Sequence, residues 1–390
     1  MALKVLKICA SPWKNQSRDK RELSVYQELG ADVSVMVKGE NSDRGRREIA
    51  DGFPVYRLST RPLGEHVPNV LNRLLSLFTW AHFARSLKPD IISAHDMIPA
   101  LTIGWMASLF CKNKPKLIYD SHEFELGRNA ERGRLTWTLI RIWECFLMKR
   151  CAFSIMVNDT IADEVQKAHQ LKDRPIVLRS TPTLWTIDDT VCAQNRKELL
   201  AQTELGDNAF LLAYHGLVTA ERGIEELIAE TEKNPFVCAM ILGNGEESYL
   251  DGLKALVKEK GLEGRVIFHE AVPLEELWKL VGAADLSLMM IEGRAKSYYY
   301  SLPNKFFESI QSLTPIVSSN FPEMKRIIDK YEIGLTCDPA DPEAIHACVE
   351  KMRTDRALYQ RCRDNLKNAK QELCWEKEKN VLIKAYKEIV

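Results

Sequence analysis

The chain has 390 residues, of which 45% are hydrophobic and 28% charged, a composition typical of folded globular domains. This length is enough for two domains of about 150 to 200 residues each. Basic and acidic side chains number 54 each, so the net charge gives no sign of a nucleic-acid partner. Residues 1–180 nevertheless hold 28 basic against 20 acidic side chains, which indicates that the two halves meet different partners.

The ten cysteines are scattered, with no C-x-x-C pair. This spacing is typical neither of a zinc site nor of a secreted disulfide framework, and it predicts reduced thiols in the cytoplasm. The first apolar run is followed by no small-residue cleavage site, so we expect no signal peptide. The longest uncharged run, 97–111, has 15 residues, whereas a membrane-spanning helix needs about 20.

In the first half of the chain, short apolar runs alternate with stretches of helical periodicity. We predict strands at 5–10, 32–37, 55–58, 91–94, 116–119 and 153–157. We predict helices at 20–30, 70–87, 99–110 and 135–150. Strands separated by helices of about 10 to 15 residues are typical of βαβ units and a parallel sheet.

The alternation stops at 180–195, which we interpret as an interdomain linker because it lacks periodicity. Strands are predicted again at 210–214, 236–242, 266–268, 286–290 and 315–318. Helices are predicted at 224–232 and 248–260, and the tail from 343 is largely helical. The predicted fold class is α/β, with two doubly wound Rossmann-like domains at 1–180 and 196–374 facing across a ligand cleft.

Two glycine-rich turns in the second half follow predicted strands. Gly216 opens a turn that leads to Arg222 at the start of a helix, and Gly243 and Gly245 open another. Glycines let the backbone approach a phosphate, and a helix N-terminus with an arginine favours an anion. Each turn alone is also compatible with ordinary turn chemistry.

A third segment, 266–273, precedes Ala284-Asp285, and a fourth runs from Tyr300 to Glu308. In the fourth, Lys305 lies in the first turn of a predicted helix, where a cation opposes the helix dipole. This placement makes sense if an anion shares the site. Glu308 follows one turn later and could reach the same ligand, although a solvated Lys–Glu pair has the same spacing.

As an ordered set, these four segments resemble the carboxyl-terminal domain of the retaining GT-B glycosyltransferases of family four, over nearly all of 205–335. The resemblance implies a GT-B fold and a nucleotide-sugar donor, with a UDP-sugar favoured. It implies transfer of a hexosyl group, with retention, to a hydroxyl of a glycan or lipid-linked acceptor. Cell-surface polysaccharide or glycolipid synthesis is the process we expect.

The resemblance assigns Arg222 to the donor diphosphate, Glu308 to the ribose hydroxyls and the stretch from His269 to the base edge. The family's second arginine is replaced by Leu217, and its first glutamate by Tyr300. Glu292 is out of register for that role. The donor-binding residues implied are Gly216, Arg222, Gly243, Gly245, His269, Glu270, Ala271, Asn304, Lys305 and Glu308.

The first half carries fewer signals. The segments around His95 and His122 end two predicted strands and resemble the family's first domain, where the second of these histidines is expected to reach the donor sugar. A histidine in such a loop is also commonly a structural hydrogen bonder. The catalytic residues implied are His122, Arg222 and Lys305. The acceptor-side residues implied are Ser11, Trp13, Arg18, His95, Asp96 and Glu123.

The last segment, 375–390, is similar to the family's terminal helix, which packs back on the first domain, although an ordinary terminal helix would show the same pattern. The chain has no D-x-D triad. We therefore expect no metal and no cofactor, with Arg222, Lys305 and helix N-termini neutralising the leaving diphosphate. Two alternatives stay open: a catalytically silent nucleotide-sugar-binding subunit, and a sugar-nucleotide epimerase or hydrolase. A dinucleotide-dependent dehydrogenase is disfavoured because no G-x-G-x-x-G follows the first strands.

Two helical stretches, 70–80 and 132–150, combine apolar spacing, aromatic residues and cations. The segment 128–150 contains only two acids, Glu131 and Glu144, against six cations: Arg128, Arg132, Arg134, Arg141, Lys149 and Arg150. Such a surface predicts peripheral contact with an anionic membrane, on the inner face of the plasma membrane. The alternative is that these helices only cover the sheet, with Trp137 and Trp143 in the core.

Overall fold

The computed structural model describes residues 2–13, 17–127 and 133–390. These residues form two compact units. The first contains the chain up to Arg179 together with Glu378–Val390, and the second contains Ser180–Lys377. Each unit is built around its own β-sheet.

The sheet of the first unit has eight strands in the described part of the chain. They are β1 (Lys4–Cys9), β2 (Asp32–Lys38), β3 (Arg44–Ala50), β4 (Phe53–Leu58), β5 (Ile91–His95), β6 (Lys116–Asp120), β7 (Phe153–Met156) and β8 (Ile176–Val177). Their order is β3-β4-β2-β1-β5-β6-β7-β8. The strands pair in parallel except β3, which is antiparallel to β4.

Helices connect these strands because apolar stripes recur at helical spacing between the apolar runs. They are α1 (Ser17–Glu28), α2 (Asn69–Ser86), α3 (Ile98–Phe110), α4 (Arg134–Met148) and α5 (Asp159–His169). Gly104 lets α3 lie close to the sheet, since a Cβ there would stand 2.9 Å from the Leu117 side chain and 3.0 Å from that of Ile92. The central strands are buried on both faces, as expected for a covered parallel sheet.

The second unit contains β9 (Phe210–His215), β10 (Val237–Leu242), β11 (Val266–His269), β12 (Leu286–Met289), β13 (Ile316–Ser319) and β14 (Gly334–Cys337). Their order is β11-β10-β9-β12-β13-β14, and every pair is parallel. Its helices are α6 (Asp189–Leu200), α7 (Ile224–Lys233), α8 (Glu247–Glu259), α9 (Leu277–Val281), α10 (Lys296–Tyr299), α11 (Asn304–Gln311), α12 (Pro322–Tyr331), α13 (Pro342–Thr354) and α14 (Arg356–Glu372).

Among the parallel strands, the order reverses once in each sheet. In the first unit β1 lies between β2 and β5, and in the second β9 lies between β10 and β12. Open parallel sheets bind ligands outside the carboxyl ends of the strands at such a reversal. The ends of β1 and β5, and those of β9 and β12, are therefore the places to look for a site.

The structure differs from the predicted elements at several points, and β8, α12 and β14 are among the elements that were not predicted. The segment Arg44–Ala50 forms the antiparallel strand β3, which the sequence analysis missed because this polar edge strand has no apolar run. The helix α5, capped by Asn158, was also missed. The interpretation of 180–195 as an irregular linker is wrong for its second part. There α6 begins at Asp189, because the side chain of Asp188 accepts hydrogen bonds from the backbone amides of Thr190 and Val191 and caps the helix.

The terminal helix α15 (Trp375–Ile389) enters the first unit at Glu378. The hydroxyl of Tyr386 lies 2.7 Å from that of Tyr26, and its ring meets Phe153 edge-on at 5.5 Å. Lys379 Nζ also donates to Glu28 at 2.9 Å. From Glu378 onward the helix therefore packs within the first unit.

Among the described residues, no helix combines the length and apolarity needed to cross a membrane. The ten cysteines carry free thiols.

Candidate functional site

The two glycine-rich turns of the second unit are stacked on each other at the carboxyl ends of β9 and β10. Gly216 N donates to Leu242 O at 3.0 Å, and Gly243 N donates to His269 O at 3.0 Å. Gly243 has φ +155°, and a Cβ there would lie 1.8 Å from the carbonyl oxygen of Gly216. Only glycine fits this approach, so the sequence pattern reflects packing between turns as well as access to a ligand.

The same contact continues one step further along both turns. Val218 N donates to Asn244 O at 2.9 Å, and a Cβ at Gly245 would lie 2.2 Å from Val218 O. Gly223, with φ +83°, precedes α7, and a Cβ there would lie 2.4 Å from Met290 O. The first turn of α7 is thereby fixed beside the end of β12, at the reversal of the strand order.

Lys305 lies in the first turn of α11 and is 8% exposed. Its Nζ has no hydrogen-bond partner in the described part of the chain and stands 4.1 Å from the centre of the Tyr214 ring. Burial lowers the pKa of Lys305 to about 7, and repulsion from Arg222 adds to this effect while Glu308 opposes it. A buried ammonium without a partner is costly, so this position favours an anionic ligand.

Arg222 contributes the second positive charge. Its guanidinium stacks on Tyr298, with Cζ 5.3 Å from the ring centre. Tyr214, whose ring contacts Lys305, donates its hydroxyl proton to Leu217 O at 2.6 Å. The turn at Gly216 and Leu217 is therefore hydrogen-bonded to the side chain of Tyr214. The site offers two cations together with helix N-termini.

Glu308 follows Lys305 by three residues, so both side chains lie on one face of α11. Its carboxylate is 3.3 Å from the imidazole of His215, the last residue of β9. Asn304 is exposed at the start of the helix. These residues bring the predicted phosphate and ribose contacts together at the end of one strand.

The predicted base-reading stretch leaves the end of β11. The ring Nδ1 of His269 is within hydrogen-bonding distance of Glu270 O, at 2.7 Å. Ala271 N donates to Asn244 Oδ1 at 3.2 Å, and Glu270 and Ala271 are exposed. The stretch is thus attached to the second glycine turn and leaves backbone groups open to a ligand.

Two family positions are filled differently in this chain. Leu217, where the family has an arginine, is an exposed apolar side chain. Tyr300 ends α10 where the family has its first glutamate. Glu292, which the sequence placed out of register, binds Arg294 Nε at 2.7 Å, and Arg294 Nη1 also binds Glu221 at 2.9 Å. Glu292 is therefore held in a surface ion-pair group.

In the first unit, a buried ion cluster lies under the carboxyl ends of β1, β5 and β6. Lys7 Nζ is 2.7 Å from both Asp19 Oδ1 and Glu22 Oε2. Arg18 binds Glu22 at 3.0 Å and Asp120 at 2.7 Å. Burial alone would lower the pKa of Lys7, but these carboxylates raise it above its ordinary value. The Lys7 ammonium thus stays charged although it is buried, whereas burial raises the pKa of the Asp120 carboxyl well above its ordinary value.

The two predicted histidines stand on this cluster. His95 Nδ1 is 3.2 Å from Asp19 Oδ1, and Ser93 Oγ is 2.8 Å from His95 Nε2. The rings of His95 and His122 meet edge-on at 5.7 Å. Burial lowers the pKa of His122 to about 3. The carboxylate of Asp19 opposes this shift, and the positive charge of Arg18 adds to it. The His122 imidazole is therefore neutral at physiological pH, and one fifth of it is exposed.

Four of these side chains, Glu22, His95, Asp120 and His122, bring ligand-type atoms within 4.8 Å of one another. This is the one such group found in the described residues. However, Lys7 and Arg18 already bind its carboxylates. A metal ion would have to displace these cations, so the chemistry of the group favours an ion cluster. That no metal takes part in the reaction stays a prediction.

The other predicted acceptor-side residues are placed in different ways. Trp13 is 4% exposed and donates its indole N–H to Asp51 at 2.8 Å. Arg18 is buried in the ion cluster and also donates to Leu178 O. Neither side chain is open to a ligand, because each has an internal partner. Ser11 and Glu123 are accessible beside β1 and β6, while Asp96 has a left-handed backbone with φ +71° after β5.

Sequence reasoning missed Lys7, Asp19, Glu22, Asp120 and His215. One signal was available, because Lys7 interrupts an otherwise apolar buried strand, and a charge there needs a buried partner. Its two partners, Asp19 and Glu22 of α1, could not be named from the sequence, since which helix residues reach the strand depends on the packing of the folded unit. His215 was missed because it directly precedes Gly216, and this part of the sequence was interpreted only as a glycine-rich turn.

Two family models match the chain. Residues 195–369 match the model described as Glycosyl transferases group 1, and residues 23–180 match Glycosyltransferase Family 4. Both units therefore carry a glycosyltransferase domain. We identify the chain as a glycosyltransferase. No curated protein matches the sequence.

Solved structures share the fold over the full chain. HepE from Anabaena, in complex with UDP, has a TM-score of 0.77 at 15% identity and covers 100% of each chain. Sucrose-phosphate synthase from Thermosynechococcus elongatus has a TM-score of 0.77 at 16% identity and covers 99% of each chain. WaaG, a glycosyltransferase involved in lipopolysaccharide biosynthesis, has a TM-score of 0.66 at 15% identity, covering 97% of this chain and 99% of its own. The fold is GT-B, with two Rossmann-like domains.

Proposed function

We propose that this glycosyltransferase moves a sugar from a nucleotide-sugar donor, a UDP-sugar, to an acceptor hydroxyl with retention of anomeric configuration. The observation that carries the proposal is the buried ammonium of Lys305, which has no hydrogen-bond partner in the described part of the chain and lies near Arg222 at the reversal of the second sheet. A bound diphosphate would supply the negative charge that the surroundings of Lys305 and Arg222 lack. The structural neighbour HepE in complex with UDP-glucose supports the choice of nucleotide.

In the proposed donor complex, the glycine turns at Gly216 and Gly243 admit the diphosphate to the backbone amides. Arg222 and Lys305 bind its oxygens, and Glu308 accepts hydrogen bonds from the ribose hydroxyls. The backbone at His269–Ala271 reads the edge of the base. Asn304 supplies the helix terminus nearest to the sugar and diphosphate.

The proposed reaction breaks the bond between the anomeric carbon and the diphosphate oxygen. Arg222, Lys305 and the oriented amides stabilise the charge that develops on the leaving group. The acceptor oxygen then bonds to the same face of the anomeric carbon, and its proton passes to the departing diphosphate oxygen. We assign no carboxylate pair of the kind that retaining glycosidases use, because Tyr300 replaces the family's first glutamate.

The proposed part of His122 is a hydrogen bond to the donor sugar. A neutral imidazole can donate from one ring nitrogen and accept at the other. The ion cluster at Asp19 and Asp120 sits behind the ring, where Nε2 is 3.8 Å and 3.9 Å from their carboxylates. We propose that the ion cluster positions the His122 ring and does not itself contact the substrate.

The proposed reaction uses neither a metal nor a cofactor. Lys305 and Arg222 take the place of a divalent cation on the diphosphate. The rate of sugar transfer, measured after exhaustive treatment of the protein with a chelator, tests whether the reaction needs a metal. Full activity without metal in the sample is expected, whereas recovery only on adding Mg²⁺ or Mn²⁺ would contradict it.

We further propose a glycan or lipid-linked acceptor, in cell-surface polysaccharide or glycolipid synthesis. The enzyme would then work in the cytoplasm, in peripheral contact with the inner face of the plasma membrane. Exposed apolar side chains on α2 and α4 of the first unit support this proposal: Val70, Leu71, Leu74, Phe78, Leu135, Leu139 and Ile142.

A second candidate is a subunit that binds a nucleotide-sugar without transferring it. Two observations favour it, namely Tyr300 in place of the first glutamate and the exposed Leu217 in place of an arginine. Measurement of product formation separates the two functions, since only the enzyme turns over donor and acceptor.

The central experiment is a thermal-shift panel of UDP-, GDP- and ADP-sugars. A ligand at 100 times its dissociation constant stabilises the folded protein by about 2.7 kcal/mol, so the matching nucleotide is recognised by its shift. The glycosylated product then shows the anomeric configuration by NMR. Inversion would contradict the proposed mechanism, and free nucleotide without glycosylated product would favour a hydrolase or epimerase.

A further inference from the structure

A cavity lies in the first unit, near the carboxyl ends of β1, β2 and β4. Its volume is about 760 Å³, within the range of small-molecule sites. Residues of α2, α3 and α4 form its other walls. None of the donor residues named above lines it, so it has no ligand assigned.

One part of the wall is apolar. It is formed by Leu77 of α2, by Met97, Ile98 and Pro99 at the start of α3, and by Ile140 and Trp143 of α4. The Trp143 indole is half-buried and donates to Thr102 Oγ1 at 3.0 Å. This hydrogen bond fixes the ring as part of the wall and satisfies its polar end, leaving apolar surface for a ligand.

The other part is basic. Lys38, Arg61 and Arg73 line the cavity, and among the described residues none of the three side chains forms an ion pair. Glu125 supplies one carboxylate to the wall. Three cations against one carboxylate leave two positive charges, which a phosphate group of about −1.5 to −2 at pH 7 would balance.

The loop that carries Arg61 is held in place by α2. The Asn72 side chain accepts from Leu63 N at 2.9 Å and donates to Gly64 O at 2.9 Å and Val67 O at 3.1 Å. Because Asn72 is 1% exposed, these bonds are shielded from water. Arg61 on the loop and Arg73 on the helix are therefore presented together, as a preorganised anion site requires.

Apolar surface continues from the cavity to the outside. Leu74 and Phe78 on α2 follow the wall residues Arg73 and Leu77 by one position each, and they are 52% and 60% exposed. On α4, Leu139 and Ile142 precede the wall residues Ile140 and Trp143 and are 59% and 58% exposed. A long apolar chain bound in the cavity could lie on this surface.

We propose that the cavity binds an amphiphile with a phosphate head and an apolar chain. The head lies among Lys38, Arg61 and Arg73, and the chain follows the apolar wall toward the exposed side chains of α2 and α4. A free phosphate would leave the apolar wall unused, and an uncharged glycan would leave the cations unbalanced. If the proposed function holds, this amphiphile is the lipid-linked acceptor; that role, unlike the binding itself, rests on the proposed function.

The test uses decyl phosphate, below its critical micelle concentration, titrated into the full chain. Binding is followed by calorimetry and by the change in tryptophan fluorescence, with Trp143→Phe identifying the signal from the cavity wall. Decanol and inorganic phosphate are the two comparison probes. Decyl phosphate is expected to bind at least about tenfold more tightly than either, since only it meets both parts of the wall.

Arg61→Gln and Arg73→Gln should each weaken decyl phosphate about tenfold or more, the loss of one charge-assisted contact. Arg47→Gln is the matched control, because Arg47 is exposed on β3 and does not line the cavity. Leu77→Ala should weaken decyl phosphate but leave inorganic phosphate unchanged. Equal affinity for decyl phosphate and inorganic phosphate would reduce the site to a phosphate site and overturn the proposal.

The proposal is also overturned if decyl phosphate does not bind, or if it binds equally to the Arg61 and Arg73 variants. UDP affinity is measured on the same samples. If the unmodified chain does not bind UDP but binds decyl phosphate, the proposed function is contradicted and the amphiphile site is not. Normal UDP binding with no decyl phosphate binding would contradict only the amphiphile site.

Discussion

In the second unit, His215 Nε2 lies 3.3 Å from Glu308 Oε2, so the last residue of β9 stands beside the carboxylate of α11. His215 is 1% exposed and both its ring nitrogens lack a hydrogen-bond partner in the described chain. The glutamate side chain keeps 16% of its surface open. The Glu308 carboxylate therefore lies beside the end of β9, next to the turn at Gly216 that is assigned to the diphosphate.

From this geometry we predict that Glu308→Gln weakens nucleotide binding about tenfold to a hundredfold. The reason is the loss of a charged hydrogen-bond acceptor, about 1.5 to 3 kcal/mol. The melting temperature should change little, because the glutamine keeps the shape of the side chain. Calorimetric titration with UDP measures the effect, and Glu275→Gln, at an exposed position of the same unit, is the control. Unaltered affinity would remove Glu308 from the donor site.

Lys305 gives a pH-dependent prediction. Its pKa is about 7 in the ligand-free protein, and a bound diphosphate would raise it, since an adjacent anion favours the protonated form. UDP binding should therefore take up protons above pH 7, and the affinity should fall as pH rises, by up to about tenfold per pH unit. The range from pH 7 to 9 avoids the phosphate's own titration near pH 6.

The measurement is calorimetry of UDP binding in buffers with different ionisation enthalpies. Lys305→Met should bind UDP more weakly and should abolish most of the proton uptake between pH 7 and 9. Arg222→Ala should weaken binding but keep a pH dependence from Lys305. Proton release on binding, or uptake unaffected by Lys305→Met, would contradict this assignment.

The glycine turns and Lys305 could be predicted from the sequence because their signals are local. A strand followed by glycine, and a lysine where a helix dipole disfavours it, are visible within about ten residues. The register of β9 against β10, which brings Gly216 onto Gly243, follows from the parallel pairing of neighbouring strands. The packing of one turn on the other then requires glycine at 243, whereas glycine at 216 is favoured by its backbone φ of +114°.

The ion cluster in the first unit could not be predicted in the same way. Lys7, Asp19 and Asp120 come from β1, α1 and β6, and which charge meets which depends on the side-chain packing of the folded unit. The same cause explains why Arg18 was expected at the acceptor. A loop arginine next to a strand end looks available in the sequence, but here its guanidinium is taken by Glu22 and Asp120.

His122 should separate binding from transfer. Because it is assigned to the donor sugar, His122→Ala should leave UDP affinity within about twofold and lower the transfer rate about a hundredfold to a thousandfold, the range for losing one transition-state hydrogen bond. His66→Ala, at an exposed position of the first unit, is the control. Equilibrium UDP titration and initial transfer rates are measured together. Abolished UDP binding in His122→Ala would show that the assigned division between phosphate and sugar contacts is wrong.

The membrane prediction concerns α2 and α4. The structure bears on the two alternatives for α4, because Leu147 and Met148 are buried while Leu135, Leu139 and Ile142 are 74%, 59% and 58% exposed. The helix thus buries one face within the unit, where it contacts α3, and presents an apolar stripe on another. Trp137 and Trp143 are half-buried, and their indole N–H groups bond within the unit. Of the cations named for this surface, Arg128 and Arg132 lie outside the described residues, as does the acid Glu131, and the Arg134 side chain is not described either.

We expect the protein to sediment with anionic vesicles at low salt and to be released at high salt. Each cation near an anionic surface contributes about 1 kcal/mol, and this attraction is screened within a Debye length. The double variant Leu139→Glu and Ile142→Glu should abolish sedimentation, because it places negative charge on the apolar stripe. Ile49→Glu is the control, since Ile49 is equally exposed, at 64%, on the edge strand β3. If the unmodified protein stays in the supernatant at both salt concentrations, the exposed stripe on α4 does not bind lipid, and a soluble acceptor becomes the better hypothesis.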